Sequence, residues 1–287
     1  VERPASVAKE LVENALDAGA RRVRVEVRDG GAGLVAVTDD GIGMTPADAR
    51  MALQRHATSA PATLADLMRI KSSGFRGEAL PAIASVARLR LLTRARGAEV
   101  GHEIRVESGR IVLEREAGAP EGTRIEVADL FSGVPARRKF LKKAGTERGH
   151  IADWLGRLAL ALPGVHSEVQ RDDRPALVWP ATARRLDRIA AVLSEQEAAG
   201  LVAVEWEEKA GHVEAYLSPP DRSRSDANGL HLFVNGRPVR DRLLRHALLE
   251  AYRDLLPRGR YPSAVAFLGV APDQVDVNVH PAKWEVR

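Results

Sequence analysis

The chain has 287 residues, a formal net charge of +4 and a pI near 9.6, with 45% hydrophobic and 29% charged residues. That length suits roughly two domains of about 100–200 residues each, and the composition excludes a disordered or fibrous chain. The absence of cysteine excludes disulfides and thiolate metal sites, and no run reaches about 18 apolar residues, so the expectation is a soluble, cytoplasmic protein with no membrane partner.

Ser6 to Ala18 predicts a helix, because Val7, Ala8, Leu11, Val12, Ala15 and Leu16 recur at helical spacing, with Ser6 as N-cap and Gly19 as the stop. RRVRVEVRD then alternates Val23, Val25 and Val27 with charges, a strand with one wet face, and Gly30-Gly31 turns it into a second strand, LVAVTDD. After DDGIGM, Thr45 or Pro46 opens another helix. A region punctuated by Gly, Pro, Ser and Thr runs from His56 to Gly77, and ALPAIASVA reads as helix. RLRLLTRA, HEIRVES, RIVLERE and TRIEVADL predict four strands, and HIADWLGRLALAL a long helix. The domain junction is expected between about Asp172 and Arg188. Beyond it come the strands VAVEWEE, HVEAYLS and LHLFVNG, the helix RDRLLRHALLEAYRDLL, and AVAFLGV and VDVNVHP. SPPDRSRSDANG is the expected flexible loop. The order is α+β, without regular βαβ alternation or internal repeat. Because the chain opens on Val1 almost inside a helix, a preceding stretch is expected to be missing.

The first helix carries the chemistry. Glu10, Glu13, Asn14 and Asp17 share one stripe, Asn14 about 40° round the axis from Glu10 and one turn along. Unpaired acids on a solvated face are one reading. A hard-cation site beside a general base is the other, since Mg²⁺ takes oxygen ligands and a carboxylate one turn away can deprotonate water. DDGIGM ends a strand with an aspartate and two glycines, which lets backbone approach a flat ligand while Asp39 accepts from an amine. KSSGFRGEAL is a glycine-rich loop running into a helix, able to cradle phosphates, but without the G-K-[ST] ending of a Walker A loop. Thr123 in GTRIEV faces the same pocket only if the strands align. His56 and His280 lack partners at ligand spacing and read as core or loop histidines.

Taken together, VERPASVAKELVENALDAGA, DDGIGM, HATS, GFRGEAL, VPARRKFL, FVNGRPVRD and QVDVNVHPAKWEVR resemble the N-terminal region of the MutL family of DNA mismatch-repair ATPases, within the gyrase, heat-shock chaperone, histidine kinase and MutL (GHKL) superfamily. The resemblance implies an α+β fold: a GHKL-type α/β sandwich ATPase domain over residues 1–180, then a smaller α+β domain resembling ribosomal protein S5 domain 2 over 181–287. It implies ATP and Mg²⁺ as cofactors, with Glu10 as the base that activates water and Asn14 as the metal ligand. Asp39 would take the adenine amine, with Gly41 and Gly43 shaping that pocket and Thr123 lining it. Thr58, Ser59 and the loop Gly74, Phe75, Arg76, Gly77, Glu78, Ala79 and Leu80 would form the phosphate lid, and Lys283 would reach the γ-phosphate. The implied partners are DNA, a MutS-like mismatch-recognition protein and, in the full-length protein, a second copy.

Three departures from the family pattern stand out. HATS is followed by Ala60 where lysine is usual, Asp39-Asp40 replaces Asp-Asn, and the segment that precedes VERPAS in the family is absent. ARRKFLKKA is a charge run with one aromatic, either a solvated face or a basic DNA surface. Arg237, Arg240, Arg242 and Arg245 cluster at the start of a helix, where the resemblance implies DNA contact centred on Arg242 and the plain alternative is ordinary surface arginine. A gyrase-like topoisomerase ATPase subunit and a DNA-binding module that does not hydrolyse ATP are the rival readings.

Overall fold

The computed structural model describes residues 2–54, 79–209 and 211–271. Thr58, Ser59, Gly74, Phe75, Arg76, Gly77, Glu78 and Lys283, together with His56, Ala60 and His280, lie outside the described residues. The chain forms two compact units, one of residues 1–155 and 164–181, the other of residues 156–163 and 182–287.

The first unit is built on an eight-stranded sheet. Its strands are β1 (Arg22–Arg28), β2 (Leu34–Asp39), β3 (Arg88–Arg94), β4 (Gly101–Glu107), β5 (Arg110–Ala117), β6 (Gly122–Ala128), β7 (His166–Arg171) and β8 (Arg174–Trp179), in spatial order β5-β4-β3-β6-β2-β1-β7-β8. All neighbours are antiparallel except β1 and β7, which run parallel. Helix α1 (Pro4–Asp17) packs on β2 and buries Val7, Ala8, Leu11, Val12 and Ala15. It starts two residues before Ser6, which is therefore not the cap: Pro4 occupies the first turn, where its missing N–H costs nothing. Gly19, at φ 75°, ends the helix. The Gly19 amide donates to Leu16 O at 2.9 Å and the Ala20 amide to Ala15 O at 3.1 Å, the double closure of a Schellman motif. Helix α2 (Pro46–Ala52) is capped by Thr45, which accepts from the Asp48 amide at 3.2 Å. Helices α3 (Ala79–Ala84), α4 (Pro135–Arg138) and α5 (Ala144–Ala161) follow.

The alternation of β1 continues across the sheet. Val23, Val25 and Val27 are buried on the α1 side, and the opposite side carries a lattice of charges. There Arg124 clamps Glu26 (2.5 and 3.0 Å) and Glu126 (2.7 Å). Glu103, with its side chain 1% exposed, takes Arg90 at 2.6 Å, Arg105 at 2.8 Å and Arg115 at 2.8 Å. Burial alone would raise the Glu103 carboxyl, but the guanidiniums of Arg90, Arg115 and Arg105 outweigh it and hold the pKa near about 2, against an ordinary 4.5. A group with a lowered folded pKa stabilises the fold above its unfolded pKa and loses that contribution as pH falls between the two values. Glu103→Gln should therefore flatten the acid limb of stability between about pH 4.5 and 2 and cost about 1–3 kcal/mol at pH 7. Urea titrations across that range check it, and an unchanged pH profile would remove Glu103 from its central position in the lattice.

The second unit is a five-stranded sheet in the order β12-β11-β13-β10-β9, formed by β9 (Val202–Glu208), β10 (Gly211–Leu217), β11 (Leu230–Val234), β12 (Arg237–Val239) and β13 (Ala264–Val270). Phe233, Val265 and Phe267 pack with Leu160 and with Ile189 of α6 (Arg185–Val192). Ala215, Leu232 and Ala266 pack with Leu244 and Leu248 of α8 (Arg242–Ala251). A short helix, α7 (Glu195–Ala198), precedes β9. The SPPDRSRSDANG segment forms two 3₁₀ turns and is tied down by an Arg224–Tyr261 bridge and by Arg224 on Glu197 at 2.8 Å.

Candidate nucleotide site

The stripe on α1 divides into two kinds of residue. Glu13 pairs with Lys9 at 3.8 Å, and Asp17 is exposed. Glu10 and Asn14 are half-buried, and neither side chain makes a hydrogen bond or ion pair among the described residues. Two oxygen-bearing side chains, one turn apart and partly withdrawn from water, are thus left available for something other than the fold.

The Asp39–Met44 loop is fastened through Ile42 to elements on either side of it. Ile42 N–H donates to Ala18 O at the end of α1 (3.0 Å), and Arg96 N–H, just past β3, donates to Ile42 O (2.9 Å). Both glycines are required by space. A Cβ on Gly43, whose φ is 66°, would lie 2.0 Å from the Arg94 carbonyl oxygen, and one on Gly41 would lie 2.9 Å from Ala18 O. Asp39 accepts from the Gly41 amide at 2.9 Å through one oxygen. Burial pushes its carboxyl above the ordinary range, the neighbouring Asp40 charge adds to this, and the backbone amides of Gly41 and Thr123 pull the other way. Asp40 itself turns back and accepts from the Arg21 and Arg22 amides at 2.7 and 2.8 Å, so its charge serves the start of β1.

Strand register brings Thr123 to this place. Val23, Asp39, Thr123 and Thr93 are cross-strand partners in one row of β1, β2, β6 and β3, on the face that α1 covers. Thr93 was not among the residues singled out from sequence. It is fully buried, donates to Gly122 O at 3.0 Å, accepts from Met44 N–H at 3.0 Å, and lies 3.0 Å from the Thr123 hydroxyl. With its one proton on Gly122 O, it accepts from Thr123, leaving the Thr123 lone pairs for a ligand. The signal was present in RLRLLTRA: Leu89, Leu91 and Thr93 occupy the buried register, and a hydroxyl there needs a partner. Of the expected lid, Ala79 and Leu80 start α3, and the Leu80 side chain is buried in the core.

In the second unit Arg237 is half-buried in β12, while Arg240, Arg242 and Arg245 are exposed. Asp241 caps α8 by accepting from the Leu244 amide at 2.9 Å, which puts Arg242 at the first helical position with no acid in the first turn.

Comparison with known proteins adds the following. Residues 2–125 match the family model described as histidine kinase-, DNA gyrase B- and HSP90-like ATPase, and residues 189–287 match that of the DNA mismatch repair protein, C-terminal domain. The chain is 50% identical over 287 residues to the DNA mismatch repair protein MutL of Geobacter sulfurreducens, and 51% identical to that of Symbiobacterium thermophilum. It is covered in full in both cases and spans 47% and 45% of those relatives, about half their length. Among solved structures, the Aquifex aeolicus MutL ATPase domain complexed with ADP matches with a TM-score of 0.74 at 29% identity, covering 95% of this chain and 93% of that one. The B-subunit of DNA gyrase from Myxococcus xanthus matches with a TM-score of 0.60 at 17% identity over 99% of this chain and 82% of that one, which speaks to fold alone.

Proposed function

The chain belongs to the MutL family of DNA mismatch-repair proteins, corresponding to its N-terminal ATPase region, and from that premise we propose that it binds and hydrolyses ATP with Mg²⁺ at the pocket bounded by α1 and the Asp39–Met44 loop. The observation that carries this reading is the pairing of Glu10 and Asn14, both half-buried and without a protein partner among the described residues, with a half-buried Asp39 that has acceptor capacity left. Asp39 accepts from the adenine amine, Gly41 and Gly43 let the ring lie against backbone, and Thr123 borders it. The available donor set near the phosphates is oxygen, which suits a hard cation. Asn14 holds the Mg²⁺, whose chemistry when bound is to neutralise phosphate charge. Glu10 orients a water and takes its proton as the water attacks the γ-phosphorus in line and the bond to the bridging oxygen breaks, leaving ADP and phosphate. Thr58, Ser59, the loop from Gly74 to Leu80 and Lys283 complete the phosphate contacts in this reading. A lysine suits a developing point of negative charge. Phosphate release measured with and without Mg²⁺ tests the proposal: turnover that vanishes on chelation supports it, and turnover indifferent to chelation overturns it.

In the same reading, nucleotide state switches conformation and drives dimerisation of the full-length protein, which couples a MutS-like mismatch-recognition partner to downstream repair on DNA. Arg237, Arg240, Arg242 and Arg245 form the DNA surface. Arg242 is the residue of choice because its position is unfavourable for the fold, a cation at the positive end of a helix dipole. Arg242→Glu should leave thermal stability unchanged or slightly higher, weaken duplex binding, and reduce the salt slope by about 1. A binding isotherm equal to the parent's at every salt concentration would end that assignment.

A further inference from the structure

An outer strand of a sheet leaves a row of backbone N–H and C=O groups without ladder partners. Among the described residues the two sheets end on β5 and β8 and on β12 and β9. Three of these edges are blunted. β5 carries an extra residue, Val112, in its pairing with β4, and the charges of Arg110 and Arg115. β8 carries an extra residue, Ala176, in its pairing with β7, and Pro175 beside it. β12 is three residues long with Pro238 at its centre. A bulge twists an edge away, a proline removes a donor, and a short strand offers few bonds.

β9 has none of these devices. It pairs residue for residue with β10, from Val202 on Leu217 to Glu208 on Gly211, with no register shift and no proline. All seven of its residues are exposed. Strand alternation divides them between two faces. Val202 (57% exposed), Val204 (42%) and Trp206 (51%) share the face on which Ala215, Leu232 and Ala266 pack with Leu244 and Leu248 of α8, and they continue that apolar surface into solvent. The other face carries Ala203, Glu205 and Glu207. Glu205 stands directly opposite Glu214 of β10, a like-charge pair that is unfavourable across a ladder. Arg185 answers Glu214 at 2.7 Å, whereas Glu205 and Glu207 have no ion pair among the described residues. The edge therefore offers open ladder groups, an apolar stripe and two unanswered carboxylates.

We propose that β9 receives an extended segment of a partner protein as an added strand, and that this segment alternates apolar side chains with lysine or arginine. The ladder supplies affinity and the alternation sets register. The partner's apolar side chains lie beside Val202, Val204 and Trp206, and its cations beside Glu205 and Glu207. A second copy of this chain fits less well. Antiparallel pairing of two β9 strands centred on Glu205 sets Glu205 against Glu205, and pairing centred on Trp206 sets Glu205 against Glu207. Pairing centred on Val204 leaves both glutamates without a cation. The proposal is independent of the nucleotide-site reading, since β9 contributes no residue to it.

Fluorescence anisotropy with labelled synthetic peptides tests this. The probe alternates valine and lysine over the length of β9. Its counterparts are a valine–glutamate peptide of the same length and a shuffled valine–lysine peptide without the alternation. The parent should bind the alternating valine–lysine peptide about tenfold or more tightly than either counterpart. Trp206→Ala should weaken that binding about tenfold, as expected for an aromatic anchor. Glu205→Lys combined with Glu207→Lys should reverse the preference in favour of the valine–glutamate peptide. Each substitution falls on an exposed side chain, so melting temperature and Mg-ATP binding should stay at the parental values. Equal affinity for the alternating and shuffled peptides overturns the proposal, as does binding by Trp206→Ala equal to the parent's. So does a cooperatively melting parent that fails to bind the valine–lysine peptide. Sedimentation of the nucleotide-free parent as a dimer that Trp206→Ala dissociates would make a second copy the occupant and overturn it too.

Discussion

Glu10→Ala should bind ATP and fail to hydrolyse it. Removing a general base costs about 10²–10⁴-fold in rate, and the alanine variant should fall in that range while its affinity for Mg-ATP stays within about threefold, since a base contributes little to ground-state binding. The helix supplies its own comparison. Glu13 lies three residues on and carries the same carboxylate, but it is held by Lys9 at 3.8 Å, whereas Glu10 has no partner among the described residues. Glu13→Ala should therefore hydrolyse ATP at close to the parental rate. Single-turnover phosphate release separates the two variants. Hydrolysis at the parental rate in Glu10→Ala, or an equal loss in both, would remove the base assignment.

Replacing Asp39 should have the opposite signature, with binding lost. A hydrogen bond to a charged group is worth about 1.5–3 kcal/mol, roughly 10–150-fold in affinity. Asp39→Asn keeps an oxygen for the Gly41 amide but offers its other side as a donor, which faces the adenine amine with the wrong polarity. The unliganded protein should respond in the other sense. A carboxyl whose folded pKa is raised by burial favours the fold below its unfolded pKa and opposes it once pH rises through the folded value. At neutral pH the ionised Asp39 is thus a cost to the empty protein, and Asp39→Asn should melt at the same or a higher temperature. ATP affinity of the parent should also fall on acidification at a higher pH than an ordinary aspartate would dictate, because protonation removes the acceptor. Weaker ATP binding together with a lower melting temperature would mark Asp39 as structural.

Much of this arrangement is legible in local pattern. The Val23-Val25-Val27 alternation, the Gly19 stop, the Thr45 cap and the four strands β3 to β6 follow from period and turn chemistry, because each is decided by neighbours in sequence. What local pattern hides is pairing at a distance. Strands β7 and β8 fall in and before the stretch taken for a junction. His166, Glu168 and Gln170 give β7 little apolar alternation, and its register is set by β1, about 140 residues earlier. The α6 helix begins at the end of the same stretch, where Arg184, Arg185, Asp187 and Arg188 obscure its apolar face. The site divides in the same way. Glu10 and Asn14 are visible as a helical stripe. That Glu13 is taken by Lys9, that Asp40 serves the amides of Arg21 and Arg22, and that Thr93 positions Thr123 all depend on side-chain direction and strand register.

The central claim, that α1 and the Asp39–Met44 loop bound an adenine nucleotide site, is tested most directly by a crystal structure of the chain with Mg²⁺ and a non-hydrolysable ATP analogue. The predicted result is the exocyclic amine within hydrogen-bond distance of the Asp39 carboxylate, the metal on the Asn14 side-chain oxygen, and Glu10 facing the terminal phosphate. A nucleotide bound elsewhere, with Asp39 occupied only by the Gly41 amide, would contradict it.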